Sequence, residues 1–288
     1  MWNAGGEMLS GAKDWATSLD LGDDITMMAA AEAPTRNEII LIGSADVSGR
    51  ILAVIWDGST WSSVLSIPIA SPSATASSHF SFAVAYENES GDAMLVWDNG
   101  NTAGLGLSYA TWDGSAWSSV NTIAMPVTGE PVQLRLANQP GSDQMVLVGQ
   151  TTAASNNQFA MVWNGSSWGN AVTLGTNSSQ QYFETQVAYE AQSGRAMVLY
   201  DASASNSSDL QYRLWDGVAW SMEQTVTAPA GITATSELYS TAIASDPGSN
   251  RIAIAAKNAL EEVWLAVWDG SSWGDKLVAT AQATFICK

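Results

Sequence analysis

The sequence predicts an all-β fold, a β-propeller built from four-stranded repeats of about 53 residues. Three observations predict it. A Trp-Asp-Gly-Ser-x-Trp motif returns at a near-constant period. Each period divides into four strand-length segments punctuated by Gly, Pro, Ser and Asn. No segment sustains the roughly 3.6-residue periodicity of an amphipathic helix.

The motif reads Trp56-Asp57-Gly58-Ser59-Thr60-Trp61 at its first clear appearance. It recurs as Trp112-Asp113-Gly114 to Trp117, Trp163-Asn164-Gly165 to Trp168, Trp215-Asp216-Gly217 to Trp220, and Trp268-Asp269-Gly270 to Trp273. The leading tryptophans are 56, 51, 52 and 53 residues apart. Asp-Gly or Asn-Gly between apolar runs is a strong hairpin signal, because Gly and Asn tolerate the positive φ such turns need. The two rings of each copy face each other across the turn, and this marks the motif as a folding device repeated at one structural position. A sugar-stacking platform is the functional alternative.

The chain reads as one propeller domain over 1–288, with repeats at approximately 23–77, 78–130, 131–180, 181–235 and 236–281. Each repeat opens with strand a and an a–b turn, such as Glu87-Asn88-Glu89-Ser90-Gly91 or Ser245-Asp246-Pro247-Gly248-Ser249. Strand b follows as a continuous apolar run, for example 94–97 or 145–148, and is expected to be buried on both faces. A polar b–c loop leads to strand c, which ends at the first Trp. Strand d is expected to start at the second Trp and to be more polar, as an outer edge should be. Residues 1–22 read as a degenerate c–d fragment and 282–288 as the start of another strand a. The termini are thus expected to join as a partial sixth blade beside five complete ones. A five-bladed ring with one end paired to another chain stays open.

Net charge is −18, from 28 acids and 10 bases. Such a field opposes nucleic acid and anionic membrane surfaces. Cys287 is the only cysteine, so an intrachain disulfide is excluded. No apolar run reaches transmembrane length, and no signal peptide is visible. The expected product is extracellular or at the cell surface, either trimmed or a piece of a longer array. Asn88, Asn164, Asn177 and Asn206 begin Asn-x-Ser sequons, which matter only where secreted proteins are glycosylated.

The Gly-x-x-Trp portion of the motif, as at Gly58 to Trp61, resembles the hairpin box of the Asp-box propellers, which include sialidases. The match departs from that box in having Asp and Gly adjacent, and, in four copies, Ile55, Thr111, Leu214 or Val267 where the box has Ser. The full motif also resembles the bacterial propeller lectins for fucose-type sugars, without their other repeat signatures. These likenesses rest on about six residues in each repeat and imply fold far more than function.

The sialidase resemblance would imply a three-arginine clamp on the face made by the b–c and d–a loops. The chain has six arginines. Arg36, Arg195 and Arg251 fall at a–b turns, Arg135 and Arg213 inside strands, and only Arg50 near a b–c loop. A sialidase is therefore not expected. His79 is the only histidine, which leaves no His-based metal site, and no cofactor or metal is expected. Glycoside hydrolysis by two carboxylates remains the least favoured enzyme reading.

The candidate ligand face is the b–c and d–a side, with His79, Trp97, Tyr182, Tyr200 and Tyr239 as its candidate residues. Large amphipathic rings suit sugars and interfaces, and ordinary packing between blades is the competing reading. The expected function is non-enzymatic recognition of a glycan or protein. The alternative is a structural subunit of an extracellular fibre or layer, assembled through terminal strands.

Overall fold

A computed structural model describes residues 25–45, 50–62, 64–68, 80–99, 106–152, 157–175, 185–201 and 207–279. The expected terminal half-blades, 1–22 and 282–288, lie outside them. The described residues form five antiparallel sheets of four strands each, in meander order. Blade 1 is β1 (Ile25–Glu32), β2 (Ile39–Ala45), β3 (Arg50–Trp56) and β4 (Leu65–Pro68). Blade 2 is β5 (Phe82–Tyr86), β6 (Ala93–Asp98), β7 (Leu107–Trp112) and β8 (Asn121–Ile123). Blade 3 is β9 (Pro131–Asn138), β10 (Gln144–Thr151), β11 (Gln158–Asn164) and β12 (Trp168–Thr173). Blade 4 is β13 (Gln186–Tyr189), β14 (Ala196–Tyr200), β15 (Leu210–Trp215) and β16 (Gln224–Val226). Blade 5 is β17 (Leu238–Ser245), β18 (Ile252–Asn258), β19 (Val263–Trp268) and β20 (Leu277–Ala279). The first strands of successive blades lie side by side, as they do around a propeller axis.

Packing between blades supplies the core. One apolar cluster joins each consecutive pair of blades. Ile40, Ile42 and Ile55 meet Phe82, Leu95 and Trp97, for example, and Met197, Leu199 and Tyr212 meet Ile254, Trp264 and Trp268. Strand b is buried on both faces in blades 2, 3 and 4, as its apolar runs predict. Blade 5 departs from this. β18 alternates buried with more exposed residues, and Leu265 and Val267 of β19 are 39% and 42% exposed. The homologous face in blades 1 to 4 is covered by the next blade. Among the described residues no apolar cluster joins blade 5 to blade 1.

The paired tryptophans behave as the hairpin reading requires. Their ring centroids are 5.3–5.6 Å apart in all five copies. The loop between them is an Asx turn. Asp57 Oδ1 accepts the backbone N–H groups of Ser59 and Thr60, and Asn164 Oδ1 does the same for Ser166 and Ser167. Strand d starts later than expected, except in blade 3. In blades 1, 2 and 4 the residue after the second Trp is Ser62, Ser118 or Ser221. Its hydroxyl accepts a strand-c N–H, from Ile55, Thr111 or Leu214, in place of a ladder carbonyl. Blade 3 has Gly169 there, and its fourth strand runs on from Trp168, whereas blade 5 has Gly274 there and its fourth strand still starts only at Leu277.

A second set of bonds locks blade to blade. Trp112 Nε1 donates to Glu38 at 3.1 Å, Trp163 to Glu87 at 2.5 Å, Trp215 to Gln144 at 2.6 Å and Trp268 to Glu190 at 2.6 Å. In every case the leading indole reaches back to the a–b turn of the preceding blade.

Two predictions follow from this geometry. Trp268→Phe keeps an aromatic ring but leaves buried Glu190 one donor short, and should cost about 2 kcal/mol in chemical denaturation. Trp215→Phe, opposite a neutral amide, should cost about half as much. Gly58 (φ +92) and Gly217 (φ +97) both sit in the left-handed region. A Cβ on Gly58 would also strike Asn37, whereas one on Gly217 meets nothing within 4 Å. Both alanine variants should lose about 1 kcal/mol or more, with Gly58→Ala the worse.

Candidate functional site

The a–b and c–d turns share one face, and hydrogen bonds tie that face down. Arg195 forks onto Glu190 at 2.8 and 2.9 Å and also donates to the Gly270 carbonyl of the next blade. Asp143 Oδ1 accepts the N–H groups of Glu89 and Ser90, and Asn250 Oδ1 those of Gln192 and Ser193. The exposed Asp269 is held down at about 2 by backbone N–H groups of Ser272 and Ser271 and by the Ser271 hydroxyl. These acids hold turns together. An open central cavity of about 1040 Å³ lies on this side, between Ala31, Pro34, Tyr86, Asn88, Pro140 and Pro247.

Buried carboxylates here divide by their partners. Burial alone would raise Glu38, but hydrogen bonds from Arg36, Tyr86 and Trp112 outweigh it and hold the group below its ordinary value. Burial raises Glu87. Ser90 and Trp163 offset this only in part, and Asp143 and Asp92 add to the rise. Among the described residues no arginine pairs with Glu87 as Arg36 does with Glu38.

On the opposite side, the candidates His79 and Tyr182 lie outside the described residues. Trp97 is 2% exposed and packs in the cluster between blades 1 and 2, so its ring fills a junction. Tyr239 is 40% exposed, with Lys257 Nζ 5.5 Å from its ring centre. Tyr200 is buried between blades 3 and 4, but its hydroxyl reaches polar company. It donates to Glu223 at 2.8 Å and accepts from Arg213 Nε at 3.3 Å. Arg213 also reaches the Ser221 carbonyl near the outer strand. Strand register places Gln211 beside Tyr200 and Arg213 beside Val198 on the face turned to blade 3. Glu223 is exposed, and Gln211 and Arg213 are half-buried, so the set opens to solvent at the outer rim.

The corresponding positions in blade 2 are Trp97, Ser108, Ala110 and Val120. The polar set therefore belongs to one junction and not to every repeat. Arg213 and Glu223 escaped the sequence reading, which set Arg213 aside as a strand residue. The available signal was alternation: Gln211 and Arg213 place polar groups at every second position of β15, on one face.

The remaining arginines do not converge. Arg36 and Arg195 serve turn carboxylates, Arg251 is exposed at its turn, and Arg135 stacks 4.8 Å from the centre of the Phe80 ring. Among the described residues no three His, Cys, Asp or Glu side chains group as metal ligands, and no helix is long and apolar enough to cross a membrane.

Comparison with solved structures matches the fold to that of several lectins. The lectin of Aleuria aurantia, solved with Fucα1-6GlcNAc, shares 16% identity at a TM-score of 0.52, over 88% of this chain and 78% of that one. Another structure of this lectin, described as a six-bladed β-propeller with a novel fucose recognition mode, matches over the same shares at a TM-score of 0.51. The lectin BP39L from Burkholderia pseudomallei shares 12% identity at a TM-score of 0.56, over 88% and 69% of the two chains. The chain is thus a β-propeller with the fold of these lectins. No protein-family model and no characterised protein matches the sequence.

The two carboxylates predict opposite pH responses. Glu87 is raised in the fold, so its contribution is complete in acid and fades as pH climbs above its ordinary 4.5. Glu87→Gln should remove that loss and flatten the stability profile from pH 5 to 7. Glu38 is lowered, so its contribution is present above 4.5 and fades as pH falls. Glu38→Gln should flatten the acid side instead. Thermal midpoints measured between pH 3 and 7 check both.

Proposed function

We propose that the protein is a non-enzymatic carbohydrate-recognition propeller acting outside the cell or at its surface. The observation that carries this reading is the rim set of Arg213, Tyr200, Glu223 and Gln211 at the 3/4 junction. Guanidinium, phenol, carboxylate and amide together offer several donors and acceptors at one junction, which suits a ligand made of hydroxyl groups. One positive and one negative side chain balance within the set, so a neutral sugar fits better than a charged one. The net charge of −18 further disfavours anionic glycans. The fold shared with the fucose-binding lectin of Aleuria aurantia supports the same reading. Tyr239, exposed at the start of β17, is a second candidate contact; His79 and Tyr182 stay candidates from the sequence alone.

The exposed apolar face of blade 5, with Leu265 and Val267, favours a second reading, self-assembly into a fibre or layer. Sedimentation at rising concentration separates the two readings, because a lectin that recognises sugar as a monomer needs no polymer.

A glycan array followed by calorimetry tests the main reading. A neutral, fucose-type glycan should bind, and Arg213→Ala should weaken it at least tenfold, about 1.4 kcal/mol. Unchanged affinity in that variant, or turnover of a chromogenic glycoside by the wild type, would overturn it.

A further inference from the structure

Junctions 1/2 and 3/4 are built alike but filled differently. In blade 1 the register aligns Met27, Ser44 and Ile51 across three strands. In blade 2 it aligns Phe82, Trp97 and Ser108. These rows meet in one apolar cluster, where Phe82, Trp97 and Ile51 are almost fully buried. The corresponding row of blade 3 is Gln133, Gln150 and Gln158. In blade 4, Tyr200 pairs with Gln211, and Thr185 takes the position of Phe82. The same place in the fold thus holds an apolar plug at one junction and amides with a hydroxyl at the other.

The polar version is buried without being satisfied. Gln158 and Thr185 are 0% exposed and Gln133 is 2% exposed. Gln133 Nε2 donates to the Thr185 carbonyl across the junction at 3.3 Å. Gln133 Oε1, both polar atoms of the Gln158 side chain and Thr185 Oγ1 have no hydrogen-bond partner among the described residues. Buried amides and hydroxyls are almost always bonded, so orphans grouped this way call for a partner. Thr185 is smaller than Phe82 and Tyr200 smaller than Trp97, while Gln150 and Gln211 are larger than Ser44 and Ser108, so the junction exchanges aromatic bulk for polar groups. The orphan set mixes donors with acceptors and carries no charge. That excludes a cation, which wants only acceptors, and an anion, which wants only donors. A hydroxyl group, which both donates and accepts, matches it.

We propose that the junction between blades 3 and 4 holds a chamber that binds neutral hydroxyl oxygen, with Gln133, Gln158 and Thr185 as its ligands. Ordered water and a sugar hydroxyl present the same chemistry. The chamber stands on its own geometry, and only its sugar arm rests on the lectin reading.

High-resolution diffraction of the wild type, with and without methyl α-fucoside, tests the proposal. An oxygen should appear within about 3.2 Å of Gln158 and Thr185. Thr185→Phe copies junction 1/2 and should expel it. Thr185→Val keeps the side-chain shape and removes only the hydroxyl, so it should shift or weaken the oxygen even if the larger variant misfolds. Glycoside affinity in the valine variant separates the sources. A change under twofold means resident water, and a tenfold loss means the sugar reaches the chamber. No oxygen in either wild-type crystal, with the amides turned onto protein partners, overturns the chamber. If no glycoside binds, the lectin reading falls, and the chamber is decided by water density alone.

Discussion

An indole N–H from one blade, bonded to a buried acceptor in the blade before it, is the interaction on which the ring depends. A four-stranded sheet cannot bury both faces alone, so each blade needs neighbours set at a fixed angle and height. Apolar packing supplies the attraction but little direction. The bond from Trp112 to Glu38, repeated through Trp163, Trp215 and Trp268, supplies the direction. The paired second Trp holds the first ring in place, and the Asx turn between them fixes the pair. Turn, ring pair and bond between blades therefore act as one device in each repeat.

The device comes in two alternating forms. In blades 1 and 3 the acceptor, Glu38 or Gln144, lies at the end of the a–b turn. In blades 2 and 4, Glu87 or Glu190 lies at its start, each bonded to the serine three residues on. Tyr109 and Tyr212 set their rings edge-on to the tryptophan pair of the following blade, at centroid distances of 5.5–6.3 Å. Blades 1 and 3 carry Ala53 and Ala160 at that position. Junctions 1/2 and 3/4 thus share one plan, and 2/3 and 4/5 another.

Much of the architecture was legible because the turn chemistry is local. Asp57-Gly58 and its four counterparts mark a hairpin wherever they stand, and the strand-b runs mark a buried centre. The role of the leading tryptophans was not legible, because each partner lies one blade away and shows no spacing rule within a repeat. In blades 1, 2 and 4 strand d starts late where Ser62, Ser118 and Ser221 lend hydroxyls to the ladder, a substitution that composition does not reveal. The candidate site was legible in part. Tyr200 was named for its position at the end of strand b and does reach polar partners. Trp97, at the matching position, was named on the same grounds and fills a junction. What separates them is the neighbouring strand, with Arg213 in one blade and Ala110 in the other. Side-chain register across strands decides that, and a linear reading of repeats does not resolve it.

Exchange of the indole protons with solvent, followed by NMR, tests the central claim most directly. If these bonds hold the blades in place, the Nε1 protons of Trp112, Trp163, Trp215 and Trp268 should exchange only when the whole ring unfolds, at one shared free energy. Exchange at the rate of exposed indoles, or at four unrelated rates under native conditions, would contradict the account.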